Sequence, residues 1–180
     1  MSTRREQVRH LLALRAQRNA MLDGPSVVAA LKGCGVTDVV WIPDSEIGRW
    51  EPALRDDPGL RLIRVCREGE AFAVAAGLHL GGRRPVVLIQ CTGLFEAGDS
   101  LRNLIHDLKL PLFFVVGVRN WFAHEEGTTA DTCPVFTEPI LRAWQVPYVL
   151  LGRDSTAADL AAAYRQARAE NRAGAVLVPE

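Results

Sequence analysis

The sequence predicts a single α/β domain in which a six-stranded parallel sheet carries helices on both faces. Three observations lead to this prediction. The 180 residues are the length of one domain with a full core. Helical and strand patterns alternate along the chain, separated by short loops punctuated by glycine and proline. The run Val86-Val87-Leu88-Ile89 is apolar on both faces, as a strand buried inside a parallel sheet is.

The elements of the first half are predicted from helix breakers and β-branched runs. An Arg-rich helical extension is expected over residues 1–24, ahead of a domain over residues 25–180. Ser26 is expected to cap the first helix of the domain, because its hydroxyl can accept a hydrogen bond from the next turn. In order, the expected elements are a helix at Val27–Lys32, a strand at Val36–Ile42, a helix ending near Arg55, a strand at Arg61–Val65 and a helix at Glu68–Leu80.

The second half continues the alternation after Gly81-Gly82 stops the alanine-rich helix. Residues 119–134 are polar and contain glycine, so we expect a long loop there. In order, the expected elements are a strand at Pro85–Cys91, a helix at Ser100–Leu108, a strand at Leu110–Val118, a helix at Val135–Trp144, a strand at Tyr148–Leu151, a helix at 156–171 and a strand at Ala175–Val178.

The composition argues against several classes of function. Lys and Arg together number 21, as do Asp and Glu, so the chain lacks the basic excess typical of nucleic-acid binders. No stretch is apolar enough to span a bilayer, and the N-terminus has no apolar segment typical of a secretory signal. The cysteines are isolated and lack zinc-ligand spacing, so we expect a cytoplasmic protein without its own metal site. They are Cys34, Cys66, Cys91 and Cys133.

Polar side chains collect directly after four of the predicted strands. Ligands of parallel sheets bind beyond the carboxyl ends of the strands, so these segments locate the expected site. They are Pro43-Asp44-Ser45, Cys66-Arg67-Glu68, Gln90-Cys91-Thr92-Gly93 and Arg119-Asn120-Trp121.

The segment Arg67–Leu78 is the most informative part of the chain. A carboxylate, Glu68, stands between a strand and an alanine-rich helix, nine positions before Gly77. This arrangement resembles the glutamate motif in the pyrimidine-binding domain of thiamine-diphosphate enzymes. The strand that ends in Gln90–Leu94 follows in the order found in that family. The loop Ile42–Ser45 resembles the corresponding loop of phosphonopyruvate and sulfopyruvate decarboxylases, and the resemblance covers roughly residues 25–150.

The resemblance implies thiamine diphosphate as the cofactor and a catalytic role for Glu68. In the family, this carboxylate hydrogen-bonds N1′ of the cofactor's pyrimidine and favours the imino tautomer, which removes the proton from C2. Gln90, Gly93 and Leu94 are then expected to line the cofactor, with Gly93 letting the backbone approach the pyrimidine ring. Without the resemblance, Glu68 is interpreted as an acid that interacts with the dipole of its helix.

A small 2-oxo acid is the substrate that the resemblance implies. Pro43, Asp44 and Ser45 are expected to face it, and Ser45 is expected to contact its carboxylate. A turn or helix-cap role for Ser45 stays open. His124 is expected to act as an acid or base near the reacting centre. The alternative for His124 is an exposed histidine on a loop.

Two departures from the family pattern bear on substrate and assembly. Related sulfopyruvate-type chains have Gly-Leu-Gly-Asn where this chain has Gly93-Leu94-Phe95-Glu96, so Phe95 adds bulk beside the expected cofactor or partner. The family's Gly-Asp-Gly motif, which binds Mg²⁺ and the diphosphate, has no match, because Gly98-Asp99-Ser100 begins a predicted helix. The resemblance therefore implies a separate β subunit that carries the diphosphate and Mg²⁺ site, in a hetero-oligomer such as α2β2.

The resulting hypothesis is the α subunit of a thiamine-diphosphate-dependent lyase that needs its partner chain to act. It would decarboxylate a 2-oxo acid, or catalyse carboligation from the same early intermediate. A noncatalytic scaffold or regulatory subunit with the same fold is the alternative, supported by the altered segment at residues 93–96 and opposed by the retention of Glu68. An unrelated nucleotide-binding protein ranks last, because no Gly-x-Gly-x-x-Gly or Walker-type loop follows a strand.

Overall fold

The computed structural model of the chain describes residues 22–45 and 47–180, together with Glu6, Arg9 and Ala13. The predicted helical extension at residues 1–24 falls almost wholly outside these residues and stays a prediction.

A six-stranded, all-parallel sheet forms the centre of the fold. The strands are β1 (Asp38–Trp41), β2 (Arg61–Arg64), β3 (Pro85–Gln90), β4 (Phe113–Val118), β5 (Tyr148–Leu150) and β6 (Gly174–Pro179). Their order across the sheet is β2-β1-β3-β4-β6-β5. The four inner strands are buried along nearly their whole length, which explains their apolar sequences.

Helices connect the strands in the alternating pattern that the sequence predicts. They are α1 (Gly24–Gly33), α2 (Glu51–Asp56), α3 (Glu68–Leu80), α4 (Cys91–Glu96), α5 (Gly98–Arg102), α6 (Trp121–Glu125), α7 (Cys133–Ala143) and α8 (Ala157–Ala169). A 3-10 turn at Gly48–Trp50 precedes α2, and a π-helical turn at Asn103–Asp107 follows α5.

The core consists of two apolar layers, one on each face of the sheet. Successive strand residues alternate between them: Val39 and Trp41 face one layer, and Val40 faces the other. Helices α1, α2 and α8 contribute to the first layer, and α3, α4, α5 and α7 contribute to the second. The predicted α/β architecture with helices on both faces is therefore confirmed.

The strand order places a topological switch point between β1 and β3. The chain leaves β1 toward β2 on one side of the sheet, and leaves β3 toward β4 on the other. The loops that follow β1 and β3 therefore diverge, which opens a crevice at the carboxyl ends of these neighbouring strands. The segments after β1 and β3 both carry predicted site residues.

Several local predictions are wrong. Strand β4 begins at Phe113 rather than Leu110, and a short helix with a π-helical turn replaces the helix expected at Ser100–Leu108. Asp23, not Ser26, caps α1: its carboxylate accepts from the backbone N–H of Ser26 at 2.7 Å, because the helix already begins at Gly24. Strand β3 ends at Gln90, and Cys91 is the first residue of α4. The loop expected at residues 119–134 contains the short helix α6, and Trp121 in its first turn is only 9% exposed.

A buried carboxylate ties the amino ends of the first three strands together. Asp38 is fully buried at the start of β1 and accepts hydrogen bonds from Arg61 at 2.7 Å, Arg83 at 2.8 Å and the Thr37 hydroxyl at 2.6 Å. Burial by itself would raise the pKa of Asp38, but the hydrogen bonds from Arg83, Thr37 and Arg61 outweigh it and hold the pKa below 3.8.

We expect Asp38→Asn to lower the free energy of unfolding at pH 7 by roughly 2–4 kcal/mol, because the amide satisfies fewer donors and leaves two arginines facing a neutral group. A carboxyl with a depressed pKa in the folded state stabilises the fold above its unfolded pKa and loses that contribution as the pH falls. Denaturant unfolding of the wild type should therefore show stability falling below about pH 4. Equal pH profiles for both proteins would contradict this role.

Candidate functional site

The predicted site segments after β1 and β3 are joined by hydrogen bonds through Gln90. Its side-chain amide donates to the Asp44 carboxylate at 3.0 Å and to the Ser45 hydroxyl at 3.3 Å. The Thr92 hydroxyl donates to the Gln90 carbonyl oxygen at 2.9 Å. Gln90 and Asp44 are half-buried, whereas Ser45 and Thr92 are exposed. The fold thus brings a predicted cofactor residue together with two predicted substrate residues at the switch point.

Glu68 is the first residue of α3, which begins a few residues after β2 at the same edge of the sheet. Its half-buried side chain lies directly against the backbone of Gly93 in α4. A Cβ added at Gly93 would come within 2.6 Å of the Glu68 carboxyl carbon, closer than real side chains approach one another. With Glu68 in this position, residue 93 has no room for a side chain and has to be glycine. This reason for the glycine follows from the packing of α3 against α4.

Glu96, at the end of α4, accepts hydrogen bonds from the residues on both sides of Glu68. One of its carboxylate oxygens accepts from the Arg67 guanidinium at 2.6 Å, and the other accepts from the backbone N–H of Gly69 at 3.0 Å. The hydrogen bonds from Arg67 and Gly69 lower the pKa of Glu96 from its ordinary value. The residues that flank Glu68 are thus fixed to the same short helix that carries Gly93.

Three acids lie near the start of α3, and they differ in their partners. Glu70 accepts from the backbone N–H of Cys66 at 3.0 Å, and Glu96 binds Arg67 and Gly69. Among residues 22–45 and 47–180, none forms a hydrogen bond or an ion pair with the Glu68 carboxylate. A half-buried carboxylate in this state is able to bind a polar ligand without breaking a structural contact.

A second polar network lies after β4, around Asp131. Its carboxylate accepts from the backbone of Cys133 at 3.0 Å, the Asn120 amide at 2.9 Å and the Arg119 guanidinium at 2.8 Å. These bonds, with the Cys133 backbone bond the largest, lower the pKa of Asp131 to about 2. Burial raises the pKa of the neighbouring Cys91 thiol to about 12, so this residue is not a nucleophile at neutral pH.

The other predicted site residues are placed differently from one another. Leu94 is fully buried in the core, so only its backbone is available to a ligand. Pro43 is exposed on the loop after β1. His124 is exposed on α6, and its ring forms no hydrogen bond with any described residue. Phe95 is half-buried against the second core layer.

Sequence reasoning did not identify the roles of Glu96 and Asp131. Glu96 appeared there as part of a departure from a motif, and its partners lie 27 and 29 positions earlier in the chain. Asp131 lies 11 or 12 positions after Asn120 and Arg119, in a segment that was expected to be a loop. The only local signal was that each residue is an acid near a predicted carboxyl end.

Two general features of the described residues bear on the site. No group of three or more His, Cys, Asp or Glu side chains within them is arranged to hold a metal ion. Within the same part of the chain, no helix has the length and apolar character needed to cross a membrane.

Comparison with known proteins identifies the family to which this fold and site belong. Residues 24–130, more than half of the chain, match the family model described as "Thiamine pyrophosphate enzyme, N-terminal TPP binding domain". The chain belongs to this family. The matched range includes Glu68, Gln90, Gly93 and Glu96. The loops after β1 and β3 and the start of α3 therefore all lie within the part of the chain that matches the family.

The curated relatives of this TPP-binding domain are decarboxylases. Sulfopyruvate decarboxylase subunit alpha of Methanothermobacter thermautotrophicus is 30% identical over 126 residues, which cover 68% of this chain and 74% of that protein. The corresponding subunit of Methanococcus maripaludis is 27% identical over 123 residues, covering 68% and 73%. Phosphonopyruvate decarboxylase of Streptomyces viridochromogenes is 37% identical over 91 residues, but the match spans only 23% of that longer protein.

A solved structure supports the fold independently. It is the X-ray structure of a protein from Mycobacterium smegmatis described as thiamin diphosphate-dependent, and it matches 87% of this chain with a TM-score of 0.64. The sequence identity is 23%, and the match covers 30% of that chain. This chain therefore matches one part of a larger protein in this case, and most of the length of the two sulfopyruvate decarboxylase alpha subunits.

Proposed function

We propose that this chain is the pyrimidine-binding subunit of a thiamine-diphosphate-dependent enzyme that decarboxylates a small 2-oxo acid together with a partner chain. The observation that carries the proposal is the Glu68 carboxylate. It is half-buried at the switch-point edge, packs on a glycine and has no structural partner among the described residues. The resemblance to thiamine-diphosphate enzymes supports the proposal, since it implies an acid at this position that binds the cofactor's pyrimidine.

Glu68 and Gly93 fit an aminopyrimidine ring. The carboxyl group would exchange a proton with the ring nitrogen, and Gly93, without a side chain, would let the ring approach the backbone of α4. When bound, thiamine diphosphate would supply a nucleophilic carbon for a 2-oxo acid and a positively charged ring that serves as the electron sink for decarboxylation. Gln90, Asp44 and Ser45 form a hydrogen-bonded polar group after β1 and β3 that would orient the substrate.

A partner chain completes the site in this proposal. The relatives that match this chain over most of their length are named subunit alpha, which implies a second subunit in those proteins. The partner would bind the diphosphate and Mg²⁺. Proteins usually bind Mg²⁺ through one or two carboxylates together with phosphate oxygens, so one chain would hold both groups. A hetero-oligomer such as α2β2 would place each cofactor between one copy of each chain.

Affinity purification of the tagged chain from its source cells tests the proposal. We expect a co-purifying protein at a fixed stoichiometry and about one thiamine diphosphate for each copy of the chain, measured by mass spectrometry and chromatography. The purified complex should release CO₂ from a 2-oxo acid. A complex that contains a partner but never takes up thiamine diphosphate would contradict the proposal and favour a scaffold role.

The two hydrogen bonds that the Glu96 carboxylate accepts from Arg67 and Gly69, here called the Glu96 clamp, give a separate prediction. Glu96→Gln keeps the size of the side chain but weakens its charge-assisted hydrogen bonds, so Glu68 loses part of its fixed geometry. We expect kcat to fall about tenfold while KM for the 2-oxo acid changes by less than about threefold, and we expect Glu96→Asp to recover part of the loss.

Asp99→Asn is the matched control for Glu96, since Asp99 lies on the next helix and pairs with Arg102 instead. It should leave kcat unchanged. A Glu96→Gln enzyme that unfolds more readily but keeps its full kcat would show that the clamp only stabilises the fold.

A further inference from the structure

A cavity of about 310 Å³ lies at the edge of the sheet where the strands begin, opposite the edge that carries Glu68. It is formed where the end of α1 meets the second half of α8, beside the residue that precedes β3. Its lining residues are Cys34, Arg84, Tyr164, Arg165, Arg168 and Ala169. Three of these six residues are arginines. We refer to this space as the arginine cavity.

Among the described residues, the arginines of this cavity have no acidic partner. Every other arginine in residues 22–45 and 47–180 forms an ion pair with Asp or Glu. Within the same residues, the cations without an ion pair are Arg84, Lys109, Arg165 and Arg168. Three of these four converge on one cavity, which concentrates positive charge in a chain whose net charge is zero.

A tyrosine hydroxyl that lines the same cavity also lacks a hydrogen-bond partner among the described residues. Tyr164 is only 3% exposed, and its ring packs edge-on against Phe113 with centroids 5.1 Å apart. Its hydroxyl makes no hydrogen bond with any residue in 22–45 or 47–180. Tyr164 lines the cavity together with Arg84 and Arg168. The Tyr164 hydroxyl oxygen is not among the enclosed unpaired polar atoms of the described residues, so it opens into the cavity and can donate a hydrogen bond to a ligand there.

The absence of a side chain at Gly35 leaves room for the guanidinium group of Arg84. Gly35 has a φ of +76°, and a Cβ added there would lie 2.5 Å from the Arg84 guanidinium. Arg165 on the opposite side donates a weak hydrogen bond to the Cys34 sulfur at 3.7 Å. The walls of the cavity are thus shaped around guanidinium groups that point toward a shared space.

We propose that the arginine cavity binds the phosphate group of a small phosphorylated molecule or free inorganic phosphate. Guanidinium groups bind phosphate oxygens through paired hydrogen bonds, and the Tyr164 hydroxyl supplies a further donor. Two negative charges on one tetrahedral group match several arginines better than a single carboxylate does. The site lies at the sheet edge opposite Glu68, so it is distinct from the proposed cofactor site and does not depend on it.

The test is a titration of the full ¹⁵N-labelled chain, at constant ionic strength, with inorganic phosphate, ribose 5-phosphate and acetate. Amide shifts of residues around the cavity give Kd for each probe. Arg168→Gln removes one guanidinium and Tyr164→Phe removes only the hydroxyl. Lys109→Gln is the matched control, because it removes a cation that has no ion pair and lies outside the cavity. Circular dichroism verifies that each variant is folded.

We expect phosphate or the sugar phosphate to bind more tightly than acetate. Arg168→Gln should weaken that binding about tenfold, Tyr164→Phe should weaken it by a smaller factor, and Lys109→Gln should leave it unchanged. Tighter binding of ribose 5-phosphate would assign the site to a phosphate ester, and tighter binding of inorganic phosphate would assign it to the free ion. Equal Kd values for phosphate and acetate, or equal losses in Arg168→Gln and Lys109→Gln, would overturn the proposal.

Discussion

Glu68→Gln is expected to abolish decarboxylation of the 2-oxo acid by the complex, with kcat reduced by about 10²–10⁴-fold. The amide has nearly the same size as the carboxyl group but cannot exchange a proton with the cofactor's pyrimidine. Because the Glu68 carboxylate has no structural partner among the described residues, the fold should lose less than about 1 kcal/mol. CO₂ release and thermal unfolding, measured on the same preparation, separate these two effects.

Glu70→Gln is the matched control for Glu68. Glu70 lies in the same helical turn, is exposed, and bonds to the backbone of Cys66. An amide oxygen can still accept that bond, so we expect kcat within a few-fold of the wild type. A Glu68→Gln complex with full activity would exclude Glu68 as the acid that activates the cofactor.

Gly93→Ala is expected to lower kcat about 100-fold. The added methyl group would lie 2.6 Å from the Glu68 carboxyl carbon, so the carboxylate has to move from the position it occupies on α4. Displacement of a catalytic group by about 1 Å is enough for a loss of this size. Alanine favours helices more than glycine does, so weakened helix formation would not explain the lost activity. Steady-state kinetics of the complex measure the effect.

Gly77→Ala provides the comparison for Gly93. Gly77 lies in α3, the helix of Glu68, but a Cβ there meets nothing within 4 Å. We expect unchanged kcat and a gain in stability of up to about 1 kcal/mol. If both glycine variants lose activity equally, the contact between Gly93 and Glu68 is not the cause.

The fold was predictable because its signals are local. A both-face apolar run such as residues 86–89 indicates a buried parallel strand, and the breaks between runs locate the helices. The approximate place of the site followed as well, since parallel strands present their carboxyl ends at one edge. The prediction of the helix cap was wrong because two nearby residues are both suitable caps. Asp23 and Ser26 are both good helix caps, and the position where α1 begins decides between them.

The contacts that shape the candidate site were not predictable from the sequence. The sequence shows that Gly93 and Glu68 exist, but not that one lies against the other. Glu96 differs from the motif found in related chains, and its clamp on Gly69 appears only when α3 and α4 pack together. The arginine cavity likewise joins Cys34 and Arg165, which are 131 positions apart. Such arrangements depend on tertiary packing, which local sequence patterns do not predict.

The exchange of the cofactor's C2 proton with solvent deuterium tests the central claim most directly. The rate would be measured by quenched-flow NMR on the complex with its partner chain, for the wild type and for Glu68→Gln at equal occupancy by thiamine diphosphate. If Glu68 activates the pyrimidine, exchange should be at least about 100-fold slower in Glu68→Gln. Equal exchange rates in the two complexes would contradict the role proposed for Glu68.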